Sequence, residues 1–567
     1  MSFQREAEKA RGAFFTPPEV ARFLVDWAVR SPSDRVLEPS CGDASFLVPA
    51  AARLRSLGAT RNEIEEIVCG VEIHGPSALA AQARLSELGH AATIVNEDFF
   101  DRSSHPGFDV VVGNPPYVRY QNFSGAARAK SVRAALAQGV RLTLLASSWA
   151  AFTVHASQFL KDDGRLGLVL PAELLSVNYA AEVRRFLLSR FASVRLVLFE
   201  KLVFPGVLEE VVLLLAEGRG TASHFEVYQA RDLKCLEGME TASWRNFKPS
   251  GDEKWTPSLI AGDALEVYRE LTSGKGFAKL IEWGETYLGS VTGNNDWFTL
   301  TVPNAARLGI VSSELQKISP PGARHLRGLT FGANSWEQLA SEGARCYLFA
   351  PGDNPSKAAR AYIEAGERAG VHGAYKCRVR SPWWRVPLVA KPDLLFTYMN
   401  HERPRWIANE AGVRILNSLY GVELAPGKKR LGKKHLPTAC LNTVTLLGSE
   451  IVGRAYGGGL LKHEPKEADL LPVPSPSLLE MADDELQAMT PQLGVAMRQQ
   501  NMSKVVEIVD ALLLEKFLKL DATQIAQLRE AREWLFRRRA ARGSKSNIAH
   551  RRPSRCGAEW TARQALG

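Results

Sequence analysis

Asn114-Pro115-Pro116-Tyr117 follows directly on the apolar run Phe108-Asp-Val-Val-Val-Gly113. That order predicts a buried strand running into a stiff turn that ends in an aromatic ring. The Asn114 side-chain oxygen and the Pro115 carbonyl are hydrogen-bond acceptors. Two prolines fix φ so that both stay in place, and Pro116 has no N–H to compete for them. The Tyr117 ring offers a face on which a planar heterocycle can stack. Together these groups suit a flat nitrogen-bearing substrate and a reaction such as methylation of an amino group. Four residues can also be a plain turn, so the weight falls on their surroundings.

Three further groups stand after successive strand-like runs, all upstream of that turn. Glu38-Pro-Ser-Cys-Gly-Asp-Ala-Ser-Phe46 is rich in small residues, which let a backbone approach a ligand at the carboxyl end of a strand. It lacks the Gly-Lys-Ser/Thr of a phosphate loop and the G-x-G-x-x-G spacing of a nicotinamide site. Glu72 ends the next run and is placed to accept hydrogen bonds from a ribose diol. Asp98, in Asn96-Glu-Asp-Phe-Phe100, can accept from an adenine amino group with Phe99 against the ring. Each acid alone reads as a solvated loop residue; their succession makes them candidates for one cofactor site.

The elements that must hold these residues are legible as an alternation of short apolar runs and helix-length segments from Val36 to Leu215. The runs are Arg35 to Leu37, Ile67 to Ile73, Ala92 to Val95, Phe108 to Gly113, Arg165 to Leu170, Val194 to Phe199 and Val211 to Leu215. They predict an α/β fold around a seven-stranded, mainly parallel, Rossmann-like sheet covered on both faces. The last two runs are too close for a crossover helix and are expected to pair antiparallel, closing one edge. Thr16-Pro17-Pro18-Glu19 starts a helix over Phe14 to Val29, and Leu47 to Leu57 and Leu142 to Leu160 read as further helices. The alternation stops at Gly218-Arg-Gly220. The expected organisation is a catalytic domain over 1–220, a mixed α/β second domain over 221–480, a helical region over 481–540 and a basic, disordered tail over 541–567. Ten of the twelve tryptophans lie beyond residue 220.

A chain of 567 residues with 45% hydrophobic and 23% charged residues is globular and too long for one core. Its net charge of +10 favours a polyanionic partner. Seven scattered cysteines, without a C-x-x-C pair or a His cluster, point to free thiols in a reducing cytoplasm and to no metal. No signal peptide or membrane span is read, since Leu142 to Leu160 is interrupted by polar residues.

In their order along the chain, Phe15-Thr-Pro-Pro-Glu-Val20, Val36 to Phe46, Gly70-Val-Glu-Ile73, Glu97-Asp-Phe99, Gly113 to Tyr117, Leu166 to Pro171 and Val203-Phe-Pro-Gly206 resemble the S-adenosylmethionine-dependent DNA amino-methyltransferases. The likeness is to the N6-adenine group of restriction–modification type, with an N-terminal catalytic and a C-terminal specificity domain. Weaker matches continue in Arg380 to Arg385, Cys440 to Thr443, Tyr456 to Pro465 and Leu471 to Pro474.

The resemblance implies S-adenosyl-L-methionine as cofactor. Thr16 with Glu38, Pro39, Ser40, Cys41 and Gly42 would hold its methionine part, Glu72 and Ile73 its ribose side, and Asp98 with Phe99 its adenine. Asn114 to Tyr117 would be catalytic, and Phe204 would join Tyr117 against a base rotated out of double-stranded DNA. Ala44 stands where the family usually has glycine, which implies tighter helix packing there. Arg378, Arg380 and Arg385, with Lys428, Lys429 and Arg430, are the candidate DNA contacts of the second domain; solvated loops are the plainer reading. The implied activity is site-specific adenine methylation of duplex DNA, with a cognate restriction endonuclease as a possible partner. N4-cytosine methylation, protein glutamine methylation, a fused restriction enzyme and a DNA-binding modification subunit of a larger restriction complex are the alternatives.

Overall fold

The computed structural model describes residues 16–119, 121–201, 203–204, 210–239, 243–456 and 459–541. The chain forms two compact units, the first ending at Ser258 and the second beginning at Leu259. The basic tail expected beyond residue 541 lies outside the described residues. No helix among them is long and apolar enough to cross a membrane.

The first unit is built on a mixed nine-stranded sheet. Its strands are β1 (Val36–Glu38), β2 (Val68–Val71), β3 (Thr93–Val95), β4 (Phe108–Gly113), β5 (Leu160–Pro171), β6 (Phe191–Phe199), β7 (Val211–Arg219), β8 (Phe225–Ala230) and β9 (Arg245–Phe247). Their spatial order is β3-β2-β1-β4-β5-β7-β6-β8-β9. From β3 to β5 all pairing is parallel, with Val36 of β1 opposite Val68 on one side and Val110 on the other. Strands buried on both faces must be apolar throughout; β1 and β2 are buried at every position and β4 at all but Asp109.

Seven strands was the expectation, and two more are present. β7 does not close an edge. It lies antiparallel between β5 and β6, and β8 then pairs in parallel with β6 and β9 antiparallel with β8. The break at Gly218-Arg-Gly220 is therefore a connection inside the sheet, because Phe225 and Val227 are buried and need a neighbouring strand to cover them. The first unit accordingly extends to Ser258 and not to 220.

Helices cover the sheet: α1 (Pro18–Ala28), α2 (Leu47–Ser56), α3 (Arg61–Ile67), α4 (Gly75–Glu87), α5 (Gly125–Leu136), α6 (Ser148–Ala156) and α7 (Ala181–Arg190). α1 starts on proline, which costs nothing in a first turn, and buries Val20, Ala21, Leu24, Val25 and Ala28 along one stripe. α3 carries a capping box of Thr60 and Glu63. The helix expected over Leu142 to Leu160 shortens to α6, since β5 already begins at Leu160.

In the second unit, five strands lie in the order Gly284–Leu288, Tyr420–Leu424, Leu394–Phe396, Trp406–Asn409 and Thr330–Phe331. Helices Lys429–Ala439 and Thr443–Val452 are followed by Asp483–Arg498, Met502–Asp510, the π-helical stretch Ala511–Phe517 and Ala522–Ala541. The region expected as a separate helical tail is not separate. Leu493, Val505, Val509 and Leu513 share one core with Trp283, Phe396, Leu424 and Leu436. Two ion pairs bind it further: Arg539 with Glu450 at 2.7 Å, both buried, and Arg529 with Asp510 at 2.8 Å. Asp510 also accepts from the Thr443 amide at 2.8 Å and its hydroxyl at 2.7 Å.

Candidate active site

Four loops leave the carboxyl ends of β3, β2, β1 and β4, which are consecutive neighbours in the sheet. The chain reverses its order between β1 and β4, and such a switch point is where open α/β sheets bind ligands. The β1 loop closes against β2 because position 70 is glycine: a Cβ there would meet Leu47 Cδ1 at 2.7 Å and Cys41 Sγ at 3.0 Å. The Cys41 amide then donates to the Val71 carbonyl at 2.9 Å.

Gly42 turns at φ +52° with open space around it, as a loop facing a ligand requires. Ala44 sits at φ +65°. The reason for a glycine at this position is thus a left-handed backbone, not close helix packing. Glu38 is 2% exposed and accepts from the Leu47 amide at 3.0 Å. Burial, and then the nearby charges of Asp43 and Glu72, hold its carboxyl well above the ordinary glutamate range. Burial likewise raises the Cys41 thiol, which makes it an unreactive packing group.

Glu72 is oriented by two backbone amides, Gly42 at 2.9 Å and His74 at 2.8 Å. Asn96 fixes its carbonyl at 2.6 Å. Ile73 beside it is 69% exposed, an apolar surface next to a carboxylate at a strand end. Asp98 is more occupied than expected: it caps the Phe100 amide at 3.1 Å and meets Lys130 at 3.3 Å. Phe99 is 3% exposed, with the Phe152, His155 and Phe159 rings 4.7 to 5.1 Å away. Its ring packs inside an aromatic cluster where an open face against adenine was expected.

Hydrogen bonds tie the β4 turn to the rest of the site. Asn114 Nδ2 donates to the Thr16 hydroxyl at 3.2 Å, which fixes the plane of the amide. Ser40 donates to the Asn114 carbonyl at 3.3 Å, joining the β1 and β4 loops. Tyr117 donates its hydroxyl to the Val169 carbonyl at 2.9 Å, near the end of β5. Tyr117 is 8% exposed, and Phe204 is buried too. Neither ring is the open stacking face expected, because an aromatic ring gains by leaving water for a packed surrounding.

Ser148, the first residue of α6, escaped the sequence reading. Its hydroxyl donates to the Pro116 carbonyl and accepts from the Val118 amide at 2.9 Å, while its own amide donates to the Val118 carbonyl at 3.1 Å. It clamps the turn on both sides of Tyr117 from thirty residues away in sequence. Only the pair of hydroxyls at a helix start, Ser147-Ser148, hinted at it.

In the second unit the basic candidates divide. Arg380 donates to the Thr292 carbonyl at 2.7 Å and to that of Val291, and desolvation lowers its pKa. Arg385 pairs with Asp353, Lys428 donates to the Glu282 carbonyl, and Lys429 meets Asp393 at 3.3 Å. These four hold loops in place. Arg378 and Arg430 are exposed. Trp383 packs 5.1 Å from Trp297 and donates to Glu367 at 2.9 Å.

Residues 1–241 match the family model described as N-6 DNA Methylase, and residues 252–514 match that of the C-terminal domain of the Type II methyltransferase M.Eco57I. The Type II methyltransferase M.XamI of Xanthomonas campestris pv. amaranthicola is 27% identical over 489 residues, covering 82% of this chain and 85% of the relative. The Type II methyltransferase M.AccI of Acinetobacter calcoaceticus is 20% identical over 538 residues, covering 91% and 95%. Among solved structures, the Type IIL restriction-modification enzyme MmeI in complex with DNA aligns with a TM-score of 0.54 at 13% identity, over 89% of this chain and 73% of that one. That likeness is one of fold.

Proposed function

We propose that this chain, a DNA methyltransferase of the restriction–modification type with an N-6 DNA methylase domain followed by a type II methyltransferase C-terminal domain, methylates the N6 amino group of adenine rotated out of duplex DNA. One observation carries the reading: Asn114, Ser40 and Thr16 are hydrogen-bonded together at the switch point between β1 and β4. An exocyclic amine is a poor nucleophile because its lone pair is delocalised into the ring. The Asn114 oxygen and the Pro115 carbonyl accept its two N–H groups, draw the nitrogen toward tetrahedral geometry and return the pair for attack.

The β1 and β2 loops suit S-adenosyl-L-methionine. Gly42 leaves open space for the methionine part, the oriented Glu72 carboxylate suits a ribose diol and exposed Ile73 suits the adenine face. When bound, that cofactor supplies an activated methyl group. Target choice is assigned to the second unit, with Arg378 and Arg430 as its phosphate contacts and a cognate endonuclease as partner of the system. A cytoplasmic location fits the free cysteines.

Asn114→Ala tests the reading. Loss of one preorganised hydrogen-bonding group at a reacting centre, of the kind measured for oxyanion-hole donors, costs on the order of 10²–10³ in rate. Radiolabelled methyl transfer to DNA should fall by at least that much while cofactor affinity holds, and the wild-type product should be 6-methyladenine. Undiminished transfer, or N4-methylcytosine as product, would refute it.

A further inference from the structure

We infer that the loop between α5 and α6 is a wedge for duplex DNA, with Leu144 and Leu145 entering the base stack where the target base leaves and Arg133 and Arg141 on the flanking phosphates. The inference rests on the DNA reading above and adds to it residues outside the site already described.

Charge singles out this segment first. Between Asp109 and Asp162 the sequence has no acidic residue, yet it contains Arg119, Arg128, Lys130, Arg133, Arg141 and Lys161. Lys130 and Lys161 are paired, with Asp101 and Asp109. Arg133 and Arg141 are exposed and form no ion pair among the described residues. Fifty residues without a carboxylate around the catalytic turn favour a polyanion over a protein partner.

Shape is the second observation. Leu144 is 74% and Leu145 57% exposed, two adjacent leucines at the tip of a turn in which the Ala146 amide donates to the Thr143 carbonyl at 3.0 Å. Single exposed leucines need no explanation. A pair on a turn that follows two exposed arginines in the chain is the combination by which DNA-bending proteins part a base step: apolar side chains fill the gap and cations hold the backbone.

Continuity with the site is the third. Ala146, Ser147 and Ser148 are buried, and Ser148 is bonded to Pro116 and Val118 on either side of Tyr117. Ser148 lies three positions after Leu145, a reach of at most about 11 Å. The leucines thus stand on the same rigid connection as the turn proposed to receive the base.

The test begins by mapping 6-methyladenine in DNA from cells making the wild-type chain. Two duplexes carrying that site are then compared, one fully paired and one abasic opposite the target adenine. The full-length Leu144→Ser/Leu145→Ser variant should slow single-turnover methylation of the paired duplex by about tenfold or more and stay within about twofold of wild type on the abasic duplex, where the stack is already open. Its melting curve should be unchanged, since both side chains are exposed. Arg133→Ala/Arg141→Ala should lower the slope of log affinity against log salt by about 2. Equal rates for variant and wild type on the paired duplex would overturn the wedge, and so would equal slowing on both duplexes. A wild-type chain that methylates no DNA would instead overturn the reading beneath it, and the wedge with it.

Discussion

Replacing Ser148 with alanine removes one oxygen from the molecule, and that oxygen holds two groups on opposite sides of Tyr117. The Pro116 carbonyl loses its donor and the Val118 amide, 2.9 Å away, loses its acceptor. Each such bond contributes about 0.5–1.5 kcal/mol net, so the turn loses roughly 2 kcal/mol of restraint. The Ser148 amide to Val118 bond at 3.1 Å and the Tyr117 to Val169 bond at 2.9 Å survive, so the turn loosens without unfolding. If that restraint acts only when the acceptors must hold the amine in its reacting geometry, kcat falls by up to about thirtyfold, since about 1.4 kcal/mol is a factor of ten. Cofactor affinity, which we assign to the β1 and β2 loops, should not move. Single-turnover methylation with parallel cofactor titration reads both quantities. Ser148→Thr keeps the hydroxyl and should recover most of the rate. Equal loss in the alanine and threonine variants, or loss of cofactor binding alongside rate, would refute a positioning role and leave a packing one.

Two further outcomes concern stability. At Ala44, releasing a left-handed residue returns about 1–2 kcal/mol, whereas deleting a buried methyl costs about 0.8 kcal/mol; Ala44→Gly should therefore raise the melting temperature, and a fall would show the strain argument wrong. Burial holds the Glu38 carboxyl above its ordinary 4.5, so the folded chain retains a proton there that the unfolded chain releases. Stability from this group is full below pH 4.5 and is lost as pH climbs through the raised value. The Tm difference of Glu38→Gln over wild type should accordingly grow from pH 4.5 to pH 8, and parallel curves would count against a raised carboxyl.

Much of the site was legible because its residues follow strands whose apolar runs are unbroken. β4 was read to the residue, and Glu38, Glu72 and Asn114 fall at strand ends as the alternation required. What was missed depends on partners far apart in sequence. β8 and β9 have no signal of their own until β6 offers an edge, and Ser148 looks like an ordinary cap until Pro116 is seen beside it. Phe99, Tyr117 and Phe204 were read by what aromatic rings can do for a ligand, and their burial reflects what the same rings do for a core. Arg380 and Lys428 illustrate the same limit for charge: a basic loop announces phosphate contacts, yet these heads are spent on backbone carbonyls of their own unit.

The C-terminal helices, closed into one core with the central strands of the second unit, constrain how such an enzyme can diversify. Because Val505 and Leu513 pack with Phe396 and Leu424, the proposed assignment of target choice to the second unit means that an exchange of sequence preference between relatives has to move the stretch from Leu259 to 541 as one cassette. A crossover inside it would leave half of a shared interior facing a foreign half. New specificities would then arise by point changes on the outer loops or by wholesale replacement, with little fertile ground between.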